Sequence, residues 1–212
     1  MPELTYVQRP ARGEADGLLI LHHGGGADES DVLGLASVLD RAHRMHVVAP
    51  RAPLKLDGAD GYDWYTGAEV GYPDADTFLA GYAELCELHD TTWRETGITA
   101  ARTVLAGFAA GSVMSYATGL GPGRPRPAGI LVFSGFIPTV DGWEPELHTR
   151  DSLPVLIAHG RTDQEIGIEF ARRASATLTD AGLDVTMYET GGSHTIDPTA
   201  KGKAIQWLGR VV

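Results

Sequence analysis

Thr103-Val104-Leu105-Ala106-Gly107-Phe108-Ala109-Ala110-Gly111-Ser112-Val113-Met114-Ser115-Tyr116-Ala117 is the stretch whose reading decides the fold. Thr103–Ala106 is short, apolar and partly β-branched, as a buried strand would be, and Ser112–Ala117 reads as a helix. Gly107 and Gly111 frame the turn between them. A side chain at either position would collide with the adjoining strand or helix. A strand that passes through Gly-x-x-x-Gly into a helix holds the middle residue of the turn above the end of the sheet. In the chemically active form of this turn the middle residue is serine. Here it is Ala109. A methyl group cannot attack a carbonyl, so the chain as written is expected to be nearly inactive. Taken alone, the spacing is equally a glycine-flanked strand–helix turn without chemistry.

Outward from this turn, apolar strand-like runs alternate with amphipathic segments. The strands are expected at Leu4–Gln8, Gly17–His22, His46–Ala49, Thr103–Ala106, Gly129–Ser134, Val155–Ala158 and Asp184–Glu189. Several are nearly all apolar, as parallel strands covered on both faces are. Helices are expected at Asp31–Arg44, from about Ala75 to Thr96, at Glu165–Ala181, and after Asp197, a good N-cap followed by Pro198. This alternation predicts an α/β fold: a doubly wound, mainly parallel sheet of about seven strands with helices on both faces. The 212 residues suit one domain, 1–212, with a substantial core. Leu54–Asp76 lacks periodicity, and so long a connection is often functional. No insertion large enough for a lid is evident.

Hydrophobic residues make up 43% of the chain and charged residues 21%, and the formal net charge is −11. A surface that acidic argues against nucleic acid and anionic membranes as partners. No apolar run reaches the length of about 18 residues needed to span a bilayer. Met1–Tyr6 lacks a basic segment followed by an apolar one, so no signal peptide is expected, and a cytoplasmic setting is the simplest. Cys86 is the single cysteine, which leaves no internal disulfide; among Tyr82, Leu85 and Leu88 it reads as a small core residue.

Three further segments carry chemistry. Asp163 closes His159-Gly160-Arg161-Thr162-Asp163, just after the Val155–Ala158 strand, where a carboxylate could fix the tautomer of a histidine and stabilise its imidazolium. Alone it is more simply a loop or cap aspartate. His194 ends Gly191-Gly192-Ser193-His194 after the last strand, placed to act as a general base. Alone it is more simply a surface histidine. The order 109, 163, 194 is nucleophile, acid, base. His22-His23-Gly24-Gly25-Gly26 follows the second strand, and its backbone N–H groups could approach a developing oxyanion, with Ala110 N–H as the second donor. A phosphate loop would need a lysine that is missing here, and the histidines have no grouped partners for a metal, so neither metal nor cofactor is expected.

Together these stretches resemble the α/β-hydrolase family, and within it the small, lidless phospholipase/carboxylesterase-type serine esterases. The resemblance runs from Leu18 to Leu208 and includes Leu21–Gly26, Arg51-Ala52-Pro53, Leu105–Gly111, Ser134-Gly135-Phe136, His159-Gly160 with Asp163, and Gly192-Ser193-His194. It implies hydrolysis of small to medium carboxylic esters, with Asp163 and His194 in their triad roles and Gly25 and Ala110 N–H groups as the oxyanion hole. It also implies a homodimer, for which the sequence itself offers no interface. The departure is Ala109, where the family has serine.

A Ser→Ala replacement explains why the strained turn, its glycines, the acid and the base all remain. A natural ligand-binding protein without turnover, a dienelactone-hydrolase-like enzyme with cysteine at 109, a thioesterase and a peptidase are the competing readings. Substrate contacts are expected from His23, Trp64, Tyr65, Phe108, Phe136 and Ile137, each of which reads equally as an ordinary core or surface residue.

Overall fold

A computed structural model describes residues 4–212 apart from Ala59 and Ala68. The Met1–Glu3 start, which bears on the signal-peptide expectation, lies outside the described residues. The chain runs β1 (Tyr6–Arg9), β2 (Gly17–His22), α1 (Glu29–Leu39), β3 (Met45–Pro50), a small hairpin of β4 (Leu54–Lys55) and β5 (Tyr62–Asp63), and α2 (Ala75–Thr96). It continues with β6 (Thr103–Phe108), α3 (Ala110–Leu120), β7 (Gly129–Phe133), β8 (Pro154–Gly160), α4 (Ile168–Asp180), β9 (Asp184–Thr190) and α5 (Pro198–Val211). The main sheet has seven strands in the order β1-β3-β2-β6-β7-β8-β9. β1 is antiparallel to β3 and every other pairing is parallel. This is the expected α/β-hydrolase architecture.

Side chains on each strand alternate between two cores, as the twofold repeat of a strand requires. Leu19, Leu21, Val104, Ala106, Leu131 and Phe133 pack with Val32 and Ala36 of α1 and Ala204, Trp207 and Leu208 of α5. On the other face, Ile130, Val132, Val155 and Ile157 pack with Tyr116 and Leu120 of α3 and Ala171 and Leu178 of α4. The direction of strand addition reverses between β2 and β6. The crevice at such a switch point is where open α/β sheets bind ligands, and here the loops after β2 and β6 flank it.

The element boundaries differ from expectation where side chains capture the backbone. α1 starts at Glu29, not Asp31, because Asp28 accepts the Ser30 and Asp31 N–H groups while Asp31 accepts that of Asp28. It ends at Leu39, well short of Arg44, because the Asp40 carboxylate takes the Arg44 and Met45 N–H groups and turns the chain into β3. β1 is Tyr6–Arg9, not Leu4–Gln8, and β6 runs on to Phe108, paired with Phe133. Cys86 is only partly buried on α2, not a core residue.

Two buried polar arrangements hold these layers together. Arg150 is 2% exposed. Its guanidinium donates to the carbonyls of Gly119 (2.9 Å), Gly121 (3.2 Å) and Arg124 (2.9 Å), satisfying acceptors at the C-terminal end of α3 and complementing its dipole. His22 at the end of β2 lies between α3 and α2. Ser115 Oγ donates to Gly111 O (2.9 Å), so it accepts from His22 Nδ1 (2.8 Å). His22 Nε2 is then an acceptor toward His89 Nε2 (3.3 Å). Both rings are fully buried. Burial and the neighbouring His89 hold His22 well below the usual imidazole range, and burial with Arg124 nearby lowers His89 to about 3.

Arg150→Met is expected to cost about 1–3 kcal/mol, because it strands the buried Gly119 carbonyl and takes a donor from the Gly121 and Arg124 carbonyls, and urea unfolding would read the loss. Acid should also weaken the fold. The depressed folded-state values of His22 and His89 mean that unfolding takes up protons below about pH 6.5. Stability is full above that pH and falls toward about pH 3, at about 2–3 kcal/mol per pH unit near pH 5 for two such groups. Urea midpoints measured between pH 7 and 4.5 check this, and a flat profile would contradict the neutral pair.

Candidate active site

Ala109 sits at the turn between β6 and α3 with φ 50° and ψ −118°, a conformation L-residues rarely adopt. Two glycines make that turn possible. A Cβ on Gly111 would lie 2.1 Å from His22 O, and one on Gly107 would lie 2.3 Å from Gly111 C. β2, β6 and α3 therefore approach at backbone contact, and the turn has no room to relax. Neighbours lock it in place. Ala109 N–H donates to Phe133 O (3.0 Å). The buried Ser112 hydroxyl lies 2.7 Å from Gly107 O and 2.8 Å from Phe133 O, and accepts from Phe133 N–H (3.1 Å). Gly135 is glycine for the same reason, since a Cβ there would meet Ser112 Cβ at 2.3 Å.

The loop after β2 is held from behind. His23 is buried; its Nε2 accepts Ala52 N–H (2.9 Å), so its Nδ1 carries the proton directed at Gly24 O (2.8 Å). Burial lowers the His23 pKa, which keeps it in that neutral form. Trp64 donates its indole N–H to His23 O (2.8 Å). Arg51 grips Glu29 at the start of α1 through two hydrogen bonds, 2.7 and 2.5 Å, fixing the other side of the loop. The result aims the backbone of Gly24–Gly26 at the turn: a Cβ on Gly24 would stand 3.6 Å from Ala109 Cβ. Among the described residues neither the Gly25 nor the Ala110 N–H has an acceptor, as donors awaiting an oxyanion require.

Asp163 and His194 meet as a pair. His194 Nδ1 lies 2.9 Å from Asp163 Oδ2, which directs an Nδ1 proton to the carboxylate and leaves Nε2 without a partner among the described residues. Asp163 Oδ1 accepts the Glu165 (3.0 Å) and Ile166 (2.9 Å) N–H groups. That capture also explains why α4 begins at Ile168 and not at Glu165. His159, fully buried, adds Nε2 at 3.3 Å from Oδ2 while donating to Ile166 O (2.7 Å). Burial pushes the Asp163 carboxyl up, but the Ile166 amide and His194 outweigh it, and the net value is lowered. The acid is therefore ionised and oriented. The Phe108 ring packs against the His194 ring with centroids 4.8 Å apart.

One cleft of ≈ 880 Å³ joins these parts, lined among others by Gly25, Asp63, Tyr65, Ala109, Ala110, Phe136, Ile166 and His194. The β4–β5 hairpin and the segment up to Val70 form its far wall. Of the residues expected to touch substrate, Tyr65 and Phe136 line the cleft. Trp64 and His23 do not: both are 0% exposed and serve as the supports of the oxyanion loop. Phe108 steadies His194 from outside the lining, and Ile137 belongs to a neighbouring cavity of ≈ 260 Å³ with Phe170 and Arg173. These side chains point inward because their polar atoms or apolar faces complete buried packing, which aromatic character alone does not disclose. Asp63 and Ile166 escaped the sequence reading. The pairing of Asp63 with Leu54, and of its neighbour Tyr62 with Gly26 and Ala27, brings it over the loop. Among the described residues, no three His, Cys, Asp or Glu are grouped to hold a metal, and no helix is long and apolar enough to cross a membrane.

Comparison with known proteins agrees with this fold. The phospholipase/carboxylesterase family matches residues 4–211. Acyl-protein thioesterase 1 of Yarrowia lipolytica is 29% identical over 223 aligned positions, covering 98% of this chain and 97% of the relative. That of Emericella nidulans is 25% identical, covering 96% and 93%. The crystal structure of esterase PE8 superposes with a TM-score of 0.86 at 28% identity over the whole of both chains. The Bacillus cereus carboxylesterase shares the fold, with a TM-score of 0.85 at 21% identity over 99% of this chain and 95% of that one. With its α/β-hydrolase sheet and a family match over almost its entire length, the chain belongs to the phospholipase/carboxylesterase family.

Proposed function

We propose that this chain holds the site of a serine carboxylesterase, acting on small to medium carboxylic esters or thioesters through an acyl-enzyme, with position 109 as the nucleophile position. The observation that carries the reading is the Asp163–His194 pair, joined at 2.9 Å, on the same cleft as Ala109 and the free Gly25 and Ala110 N–H groups. Relatives named as esterases and acyl-protein thioesterases agree with that class.

With serine at 109, the hydroxyl attacks the carbonyl carbon while His194 Nε2 takes its proton. Asp163 holds Nδ1–H and stabilises the imidazolium, and the Gly25 and Ala110 amides take the negative charge on the carbonyl oxygen. His194 then protonates the departing alcohol or thiol, and water repeats the sequence on the acyl-enzyme. With Ala109 the first bond cannot form, so the cleft binds ester without turning it over. A positive φ costs a residue bearing a Cβ about 1–2 kcal/mol that glycine would avoid. The strained turn with Ala109 therefore fits a serine site stripped of one oxygen better than a turn kept for its shape. Ser112 is no substitute, because its hydroxyl is buried and engaged with Gly107 and Phe133.

The competing reading, a ligand-binding protein, rests on Ala109 itself. Ala109→Ser is expected to raise kcat toward p-nitrophenyl butyrate or a butyryl thioester by on the order of 10⁴- to 10⁶-fold, and adding His194→Gln should remove most of the gain. A folded Ala109→Ser protein without turnover above background, still binding ester, would establish the ligand-binding reading instead.

A further inference from the structure

We propose that Asp63 makes this cleft selective for esters and thioesters that carry a cationic group, such as a quaternary ammonium, beside the scissile carbonyl. The inference rests on the ester-hydrolase reading of the cleft and adds the charge of its substrate.

Asp63 ends β5 and faces Leu54 of β4. The hairpin lays its carboxylate directly on the oxyanion loop: a Cβ on Gly25 would come within 2.7 Å of Oδ2. A side chain at residue 25 would displace this carboxylate. Oδ1 accepts the Trp64 N–H (2.8 Å), and among the described residues Oδ2 has no hydrogen-bond partner. The nearby cations are committed elsewhere. Arg51 is held by Glu29, and Lys55 stands over the Tyr62 ring at 4.9 Å. His23 is kept neutral by burial. The other charged residues of the cleft besides Lys55 are Asp57 and Glu69, which add to the negative potential. Burial raises the Asp63 carboxyl above its ordinary value, the mark of an anion short of solvation and partners.

An anion at this spot works against the chemistry of a neutral substrate. The Gly25 amide is meant to stabilise negative charge as it grows on the carbonyl oxygen, and a carboxylate alongside opposes that growth. A substrate cation paired with Oδ2 removes the opposition and gains a charge-assisted contact of its own. An anionic acyl or alcohol group is disfavoured by the carboxylate and by the oxyanion alike. One side chain thus discriminates in binding and again in the transition state, which is how specificity rises above what affinity alone supplies.

Because the Ala109 chain lacks the nucleophile, equilibrium binding tests this separately from turnover. The probes are butyrylthiocholine, its neutral carbon isostere S-(3,3-dimethylbutyl) thiobutyrate, and the anionic S-(2-sulfonatoethyl) thiobutyrate. A fourth carries trimethylammonium on the acyl side. At low salt, at least one cationic probe is expected to bind about tenfold or more tightly than the neutral isostere, and the anionic probe more weakly than either. Asp63→Asn should reduce that cation preference to near unity. In the Ala109→Ser protein the ratio of kcat/KM for cationic over neutral probe should fall at least tenfold with Asp63→Asn, with part of the change in kcat. Equal binding of charged and neutral probes by the unaltered chain overturns the proposal, even if Asp63→Asn fails to fold. A preference that survives Asp63→Asn overturns it as well. A cation preference without turnover in Ala109→Ser would leave the inference standing and remove the esterase reading.

Discussion

Everything at the candidate site depends on one approach of backbone to backbone. Gly111 at the start of α3 passes so close to the end of β2 that a Cβ would stand 2.1 Å from His22 O. No side-chain rearrangement can make that space, because the obstacle is the main chain. The contact fixes the helix N-terminus against the strand, and so fixes the distance between the Ala110 amide and the glycine loop that begins one residue after His22. It also forces the positive φ of Ala109, since the chain must leave β6 and enter α3 within a single residue. The local cost, about 1–2 kcal/mol for a non-glycine residue, is small against the burial of α3, whose residues from Gly111 to Leu120 are all buried.

The interior beneath this contact is polar and still closed. His22, Ser115 and His89 form a chain in which each donor meets an acceptor, and only His89 Nδ1 is left without one. His159 shows the same economy behind Asp163, with Nε2 bonded and Nδ1 bare. An unpaired imidazole nitrogen in the interior costs less as a neutral acceptor than as a charged donor, so His22 and His89 are built to stay neutral. His194 differs because its side chain is 24% exposed and only one nitrogen is tied down. The distinction between a structural and a chemical histidine here is a matter of which nitrogen remains available to the cleft.

The sheet, its helices and the three chemical segments were legible in the sequence because each rests on a local pattern. Runs such as Leu18–Leu21 and Ile130–Phe133 can only be buried strands, and the glycines at 107 and 111 have no use in a helix–strand junction unless something passes close by. The lining of the cleft was not legible. Trp64 looked like a substrate aromatic because it lies in a long aperiodic segment, yet its indole N–H is consumed by His23 O. Asp63, its neighbour, carries no signal of its own in the sequence. Which of two adjacent residues faces the cleft is set by the register of β4 against β5, a two-residue ladder too short to leave a period in the sequence. The ends of α1 and α4 were missed for a related reason. Asp40 and Asp163 capture N–H groups a few residues ahead, and propensity does not record where a carboxylate will turn back.

These two kinds of information correspond to two parts of the molecule with different freedoms. The turn at Ala109, Asp163 and His194 follow directly on the ends of β6, β8 and β9 of the central sheet, which set their positions. Among the described residues the β4–β5 hairpin joins the loop after β2 through Gly26 N–H to Tyr62 O and Tyr62 N–H to Ala27 O. A substitution at 63 therefore alters the charge beside Gly25 without changing the packing of β2, β6 and α3. A substitution at 107, 111 or 135 would collide with backbone or with Ser112. The turn is thus fixed by close packing at the sheet, and the proposed selectivity falls to a hairpin whose side chains the core does not dictate.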